Sequence, residues 1–233
     1  MNKYFVIGDI HGCYDKLIKL LKFWNPKEEK LIFLGDLIDR GDRSLDVLLH
    51  VKKLVEDYGA IVIKGNHEEL FLNWLESPAT QSVVYLNQGG YETVSSFMEG
   101  TNIGKHTPAF LTNYINDYFQ EEISFLKTLP LYLYDELYIF VHAGVDLYKA
   151  DWKNTRDLDF NWIRNPFIYG KNETNHTIVF GHTPTRLIHK DESDDIWISP
   201  CGTKIGIDGA AVFGGKLHAL RINGEKFEVV SVA

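Results

Sequence analysis

The first third of the chain alternates short apolar runs with segments of helical periodicity. The apolar runs predict three β-strands, over Lys3–Ile7, Leu31–Leu34 and Ala60–Ile63. Leucine, isoleucine and valine at helical spacing predict α-helices over Asp15–Trp24, Ser44–Tyr58 and Glu68–Leu75. Strands that alternate with helices are typical of βαβ units, whose strands run parallel within one sheet. This alternation therefore predicts an α/β fold that begins with a mostly parallel sheet.

The rest of the chain changes from helical to strand-rich. Within the polar residues 77–129, helices are predicted over Ser82–Asn87, Tyr91–Phe97, Ala109–Tyr118 and Glu121–Leu129. Strands are predicted over Leu131–Tyr134, Leu137–Val141, Thr177–Phe180, Asp195–Ile198, Lys204–Ile207, Lys216–Ile222 and Phe227–Val232. Residues 146–176 are predicted to be a loop, and Asn223 and Gly224 a hairpin turn. We interpret residues 77–129 as a helical elaboration of a single domain that spans residues 1–233.

Five of the predicted strands end in glycine or alanine next to aspartate, histidine or asparagine. The motifs are GDIHG at 8–12, GDLIDRG at 35–41, GNHE at 65–68, VHAG at 141–144 and FGHTP at 180–184. Ligand sites in open α/β sheets form at the carboxyl ends of the strands. We therefore expect these polar residues to converge on one site.

The chemistry of the strand-end residues suits metal ions. The candidate ligands are Asp9, His11, Asp36, Asn66, His142 and His182. Carboxylate and amide oxygens with imidazole nitrogens are too rich in oxygen for a structural thiolate zinc site. The set is large enough for two divalent ions, with Asp36 as the carboxylate that bridges them.

Each candidate ligand also has an ordinary structural explanation. Asp9, Asp36 or Asn66 alone could cap a helix. A single histidine such as His142 is more often a hydrogen-bonded structural residue than a metal ligand. The coincidence of five strand-end motifs favours a site.

Composition excludes several classes of protein. A formal net charge of −8 is too acidic for binding nucleic acid through bulk charge. No apolar run reaches the length of about 18 residues that a membrane helix needs. The first residues enter a predicted strand, so we expect no secretory signal. Cys13 and Cys201 are too few for a disulfide framework, so we expect a cytoplasmic protein with reduced thiols. Without a coiled-coil or interface pattern, a monomer is expected.

The strand-end motifs resemble those of the PPP-type metallophosphoesterases. GDIHG, GDLIDRG and GNHE are similar to the signature of that superfamily, and VHAG and FGHTP resemble its later metal-binding blocks. LNQGGYET at 86–93, WIR at 162–164 and AAVFGGKLHAL at 210–220 most resemble the bacterial and bacteriophage-lambda-type serine/threonine protein phosphatases. The resemblance runs from residue 8 to about 220. It implies the calcineurin-like fold, in which two mixed β-sheets pack together and are flanked by helices (αββα).

The resemblance implies a role for each strand-end residue. One metal would be bound by Asp9, His11 and Asp36, and the second by Asp36, Asn66, His142 and His182. His67 would donate the proton to the leaving group, oriented by Asp39. Arg40 and Arg164 would hold phosphate oxygens. Manganese is the expected metal, with iron or zinc as alternatives.

The predicted reaction is hydrolysis of phosphomonoesters by a hydroxide that bridges two metals, without a phosphoenzyme. The expected substrate is phosphoserine or phosphothreonine in a protein, or a small phosphoester. The alternative is a dinucleoside polyphosphate hydrolase that acts on diadenosine tetraphosphate. Asp39, Glu68 and the GHTP block favour the phosphatase over the symmetrical type of that hydrolase, whereas another type keeps the equivalent of Asp39.

Two further functions fit the sequence less well. A phosphodiesterase or nuclease is disfavoured by the acidic charge and by the complete GDLIDRG motif. A non-catalytic phosphate-binding module is disfavoured because every implied ligand and His67 are present.

The chain departs from the family pattern at two places. Asp208–Ala211 reads Asp-Gly-Ala-Ala where the family has Asp-Thr-Gly-Ala, which puts hydrogen bonding near that loop in doubt. His218 replaces a small polar residue and is not counted as a ligand.

Overall fold

The computed structural model of the protein describes residues 3–99 and 101–233, whose strands form two five-stranded mixed sheets. The strands are β1 (Lys3–Ile7), β2 (Lys30–Phe33), β3 (Ile61–Val62), β4 (Tyr132–Tyr134), β5 (Tyr138–Val141), β6 (Thr177–Phe180), β7 (Trp197–Ile198), β8 (Lys204–Gly206), β9 (Leu217–Asn223) and β10 (Lys226–Val232). The α-helices are α1 (Tyr14–Leu21), α2 (Ser44–Tyr58), α3 (Asn66–Glu76), α4 (Pro78–Tyr85), α5 (Tyr91–Phe97), α6 (Pro108–Tyr118), α7 (Gln120–Lys127), α8 (Asp157–Trp162) and α9 (Asn165–Tyr169).

The first sheet has the order β10-β9-β1-β2-β3. β1, β2 and β3 run parallel, as the strand–helix alternation predicts, and β9 pairs antiparallel with the other edge of β1. β9 and β10 form an antiparallel hairpin whose last pair joins Asn223 and Lys226, which confirms the predicted turn. β3 is only two residues long, so the chain leaves the sheet earlier than predicted.

The second sheet has the order β4-β5-β6-β8-β7. β5, β6 and β8 run parallel, and β4 and β7 pair antiparallel at the two edges. The predicted change to a more antiparallel pattern is therefore seen at these edges, in the β9–β10 hairpin and in the pairing of β9 with β1.

Alternation along β1 shows how the layers pack. Tyr4 and Val6 belong to the core between the two sheets, with Phe140 and Val179 of the second sheet. Phe5 and Ile7 belong to the core under α1 and α2. Successive strand residues point to opposite faces, and both faces of β1 are buried. A third core joins the outer face of the second sheet to α8 and α9. This arrangement confirms the predicted αββα architecture.

The helical character predicted for residues 77–129 is observed in α4 to α7. These helices pack on α2 and α3 through the core under the first sheet, with Tyr85, Phe97 and Ile115 fully or almost fully buried. Between α4 and α5 the helix is interrupted at Gly89, whose φ of 102° lies outside the helical region. That these helices form one domain with the sheets stays a prediction. Among the described residues, no helix is long and apolar enough to cross a membrane.

The prediction of a loop over residues 146–176 is wrong in part. That segment contains α8, α9 and a 3₁₀ turn at Trp152–Asn154. With six and five residues, the two helices are too short to show a helical repeat in the sequence. Their buried residues Phe160, Phe167 and Ile168 are recognisable only from packing on the second sheet.

Candidate metal centre

The predicted site residues follow strands of both sheets. Asp9 and His11 follow β1, Asp36 follows β2, and Asn66 and His67 open α3 directly after β3. His142 follows β5 and His182 follows β6 in the second sheet. Of the nine described non-glycine residues with positive φ, five lie here, with values from 46° to 72°: His11, Asp36, Asp39, Arg40 and His182. Left-handed backbone is costly for such residues, and it clusters at functional sites.

The structure brings the imidazole and carboxylate side chains together in two groups of residues that share Asp36. The first group consists of His11, Asp36 and His67, and the second group of Asp36, His142 and His182. In each group the ligand atoms lie within 4.8 Å of one another. One oxygen of Asp36 is 3.4 Å from Nε2 of His11, and the other is 3.4 Å from Nε2 of His142. Asp36 thus offers one carboxylate oxygen to each group, and its bridging role stays a prediction.

Asn66 and Asp9 complete the arrangement in different ways. Oδ1 of Asn66 lies 2.9 Å from Nε2 of His142 and 2.8 Å from Nδ1 of His182, within the second group. The carboxylate of Asp9 accepts the backbone N–H of His182 at 3.0 and 3.1 Å. Among the described residues Asp9 belongs to neither group, and His67 takes the third place in the first. The individual ligand roles stay predictions.

These side chains are almost completely removed from water. The six predicted ligands and His67 are at most 5% exposed. Buried carboxylates and imidazoles are destabilising unless they are paired or bind a metal. Nε2 of His182 is buried and has no hydrogen-bond partner among the described residues. The unpartnered nitrogen of His182 and the carboxylate of Asp36, which is common to both groups, make this cluster suitable for binding divalent ions.

The protonation states also fit metal binding. Burial lowers the pKa of His11, His142 and His182, which favours the neutral imidazole that binds metals. Burial opposes ionisation of Asp36, but the surrounding histidines, above all His142, lower its pKa. Burial, together with Asp208 and Asp36, raises the pKa of Asp9. A bound cation would offset this crowding of carboxylates.

His67 is held by a buried carboxylate. Its Nδ1 lies 2.7 Å from Oδ2 of Asp39, which is fully buried. The other oxygen of Asp39 accepts hydrogen bonds from Tyr85 Oη at 2.8 Å and Thr93 Oγ1 at 2.7 Å. Burial opposes a charge on His67, but Asp36 and Asp39 raise its pKa. Asp39 thus fixes the orientation of the His67 ring, and the role of His67 as an acid stays a prediction.

The two predicted phosphate-binding arginines lie on different sides of the centre. Arg40 contacts Nε2 of His11, and its Nη2 is 2.8 Å from Nε2 of His67. Nη1 of Arg164 donates to Oγ1 of Thr183 at 3.2 Å, next to His182. Arg40 therefore belongs to the side of the first group and Arg164 to that of the second.

Glu68 ties the strand ends together. Its carboxylate accepts the backbone N–H groups of Asp36, Leu37 and Gly65 at 2.8 to 2.9 Å. Burial raises the pKa of Glu68 to about 7. A Cβ at Gly65 would collide with the carboxylate and backbone N of Asp36, so glycine permits this close approach. The turn after β2 and the start of α3 therefore share one carboxylate as their anchor.

Comparison with known proteins identifies the family. Residues 3–210 match the calcineurin-like phosphoesterase family. The chain belongs to this family. The predicted resemblance and fold are thereby confirmed, and the chain is a metallophosphoesterase.

Relatives within the calcineurin-like phosphoesterases carry two kinds of name. The bis(5'-nucleosyl)-tetraphosphatase PrpE [asymmetrical] of Anoxybacillus flavithermus is 29% identical, covering 98% of this chain and 93% of the relative. Serine/threonine-protein phosphatase 1 of Salmonella typhimurium is 31% identical, covering 93% of this chain and 90% of the relative. A solved structure of a putative diadenosine tetraphosphatase has a TM-score of 0.67 at 20% identity, covering 100% and 94% of the two chains. The last likeness shows the fold.

The sequence motifs missed three residues that support this calcineurin-like centre. Tyr85 and Thr93 hold Asp39, although Thr93 closes the LNQGGYET motif and Tyr85 directly precedes it. Asp208 is buried near Asp9, and burial raises its pKa to about 6. Its Oδ1 accepts the N–H of Ala210 at 2.9 Å, and its carbonyl accepts that of Thr185 at 2.8 Å. Hydrogen bonding near the divergent loop is therefore present.

His218 lies outside the metal centre. Its Nδ1 is 2.7 Å from Ser231 Oγ, and its Nε2 is 2.6 Å from the carbonyl oxygen of Asp194. Both ring nitrogens thus contact polar groups of the fold, in agreement with its omission from the predicted ligands.

Proposed function

We propose that the chain hydrolyses phosphomonoesters, with phosphoserine and phosphothreonine in proteins as its main substrates. The observation that carries this proposal is the buried pair of His67 and Asp39, 2.7 Å apart, at the edge of the first group. A departing serine or threonine alkoxide is strongly basic and needs a proton from a positioned acid. The phosphate released from an anhydride is a weaker base and needs less help. An oriented histidine therefore suits an ester substrate.

The chain's own residues divide the work at the phosphate. Two divalent ions, when held by Asp9, His11, Asp36, Asn66, His142 and His182, supply Lewis acidity and an activated water. Arg40 and Arg164 lie on the two sides of the centre and bind phosphate oxygens through charge-assisted hydrogen bonds. Asp39 keeps Nδ1 of His67 protonated, which leaves Nε2 as the nitrogen that would donate to the leaving oxygen.

Arg40 lies against both histidines of the first group. A guanidinium only donates hydrogen bonds, so its contact with Nε2 of His67 needs that nitrogen to be unprotonated. The same guanidinium contacts Nε2 of His11, a proposed metal ligand, so it would have to leave this place when the metal is bound. Arg40 would then be available to bind a phosphate oxygen, while Asp36 and Asp39 favour the protonated ring of His67.

The second candidate function is hydrolysis of dinucleoside tetraphosphates. Relatives with that name cover nearly the whole chain. Two partly exposed aromatic rings also border the centre: Trp162 lies 6.0 Å from the ring of His182, and Phe213 lies 5.5 Å from Cζ of Arg40. Exposed rings beside a phosphate site can stack on nucleobases.

The deciding experiment compares kcat/KM for a phosphoserine peptide and for diadenosine tetraphosphate on manganese-loaded enzyme. Our proposal expects the peptide to be preferred by at least about tenfold, equivalent to about 1.4 kcal/mol in the barrier. A preference of that size for the dinucleotide would overturn it in favour of the second candidate. Elemental analysis of the same sample verifies that both assays report loaded enzyme.

Variants of the aromatic rings sharpen the comparison. If nucleobases stack on the rings, Trp162→Ala and Phe213→Ala lower kcat/KM for the dinucleotide more than for p-nitrophenyl phosphate, by about 1–3 kcal/mol per lost stack. Tyr148→Ala, at an 81% exposed tyrosine, is the matched control. Equal losses on both substrates would exclude stacking.

A further inference from the structure

The short helix α9 begins directly after Arg164 and ends against a buried lysine. Nζ of Lys204 lies 2.7 Å from each of the carbonyl oxygens of Phe167, Ile168 and Gly170. An ammonium has three N–H donors, so these carbonyls use its full donor capacity. Carbonyls at the end of a helix have no partner within it. Lys204 therefore closes the C-terminal end of α9.

A lysine is an unexpected residue at this place. Lys204 belongs to β8, and only 2% of its surface is exposed. Lysine is almost never buried to this extent unless it is paired, and burial lowers the pKa of Lys204. Its three bonds go to backbone carbonyls, where the negative end of a helix dipole favours a cation. A buried positive charge thus fastens α9 to the second sheet.

Two residues of α9 connect Lys204 to Arg164 through their backbone groups. The N–H groups of Phe167 and Ile168 donate to the carbonyl of Arg164 at 3.0 and 2.9 Å, while their own carbonyls accept from Lys204. A five-residue helix is not stable by itself, so its position depends on such anchors. The backbone of Arg164 is therefore fixed from the far end of the helix.

The other contacts of α9 point to the metal centre. The ring of Phe167 lies against Gly144, two residues after His142, so closely that a Cβ on this glycine would collide with it. The guanidinium of Arg164 donates to Thr183, the neighbour of His182. α9 is thus held between β8 and the ends of β5 and β6.

We propose that Lys204 is a positioning residue, which holds α9 so that Arg164 reaches the phosphate. This inference rests on the phosphate-binding role of Arg164 in the proposed function. Lys204 touches no substrate and acts only through the helix.

The test is a double-mutant cycle between Lys204 and Arg164, read out as the inhibition constant of inorganic phosphate and as KM and kcat for p-nitrophenyl phosphate. Arg164→Ala is expected to raise the inhibition constant of phosphate about tenfold, the size of one lost charge-assisted hydrogen bond. Lys204→Met is expected to raise the inhibition constant several-fold and to change KM more than kcat. In the Arg164→Ala background, Lys204→Met should leave the inhibition constant and KM unchanged, because the arginine that Lys204 positions is gone.

The matched control is Lys52→Met. Lys52 joins α2 to α7 through Glu121 at 2.7 Å and Glu122 at 3.0 Å, and its side chain is 16% exposed. This substitution removes an ammonium that also joins two elements, but at carboxylates and far from α9. The inhibition constant of phosphate should stay unchanged in this variant, whatever the loss in Tm.

The outcomes separate the inference from the proposed function. An unchanged inhibition constant in Arg164→Ala overturns the phosphate-binding role of Arg164 and the inference with it. The other outcome is that Arg164→Ala raises the inhibition constant about tenfold and Lys204→Met raises it by the same factor with or without Arg164. This additivity overturns the inference and leaves the role of Arg164 intact.

If Lys204→Met does not fold, Lys204→Arg decides. A planar guanidinium keeps the charge but cannot direct three N–H groups at the same three carbonyls. A raised inhibition constant that disappears in the Arg164→Ala background supports the inference. An inhibition constant equal to that of the unchanged protein overturns it.

Discussion

The two groups of the metal centre are assembled in different ways. The first group takes His11, Asp36 and His67 from consecutive units of the first sheet, within the first 67 residues. The second group adds His142 and His182, which follow strands of the second sheet, to Asp36. The first group is a product of local βαβ structure, whereas the second forms only when the sheets pack face to face. A reaction that needs both groups therefore requires that the two sheets are packed together.

Asp36→Asn should have the largest effect, because it removes the carboxylate common to both groups. We expect metal content to fall and kcat/KM to decrease by more than about 10³-fold. Elemental analysis and p-nitrophenyl phosphate hydrolysis measure the two quantities. Unchanged metal content would refute the bridging role.

His67→Asn should disable the proposed proton donor, a member of the first group, without disturbing the second group. With phenyl phosphate, a poor leaving group, kcat should fall by about 10²- to 10⁴-fold. With p-nitrophenyl phosphate the loss should be much smaller, because its leaving group needs little protonation. Equal losses on both esters, at full metal content, would contradict the acid role.

His11→Ala and His142→Ala test whether the second group ties the sheets together. Nδ1 of His142 bonds the carbonyl of Leu34 across the sandwich, whereas Nδ1 of His11 bonds that of Ile38 within the first sheet region, both at 2.8 Å. In metal-free protein, His142→Ala should lower Tm by about 2–4 °C more than His11→Ala, for about 1 kcal/mol of lost stability. Calorimetry in the presence of chelator measures the difference. Indistinguishable Tm values would show that the second group does not hold the two sheets together more than the first group does.

Tyr85→Phe should have the smallest effect, confined to the first group. It removes the hydroxyl that donates to Asp39 at 2.8 Å, which loosens the orientation of His67. We expect kcat for phenyl phosphate to fall about fivefold, because Asp39 keeps its bond from Thr93 and the lost hydroxyl acts on His67 only through Asp39. Thr183→Val, which removes the contact to Arg164, is the counterpart on the other side and should raise KM instead. Interchanged effects of the two variants would contradict the division of roles.

The sequence predicts the centre better than its surroundings for a physical reason. Each candidate ligand follows a strand within a short motif, so its position depends on local structure and on the parallel order of strands. Tyr85 reaches Asp39 across 46 residues, and Lys204 reaches Phe167 across 37. Such pairs depend on how distant elements pack, and the hydrophobic periodicity of the sequence does not predict that packing. The same holds for α8 and α9, whose five or six residues take their shape from the sheet beneath them.

The place of β1 has a consequence for how the molecule folds. β1 pairs with β2 on one side and with β9 on the other, and the pair of Lys3 and Asn223 joins residues at opposite ends of the chain. During synthesis the strand that carries Asp9 and His11 keeps one open edge until residues 217–223 have emerged. Pairings between such distant residues form slowly, and an unpaired edge strand is prone to association with other chains. Protection of the nascent chain matters most, therefore, in the interval before β9 closes the first sheet.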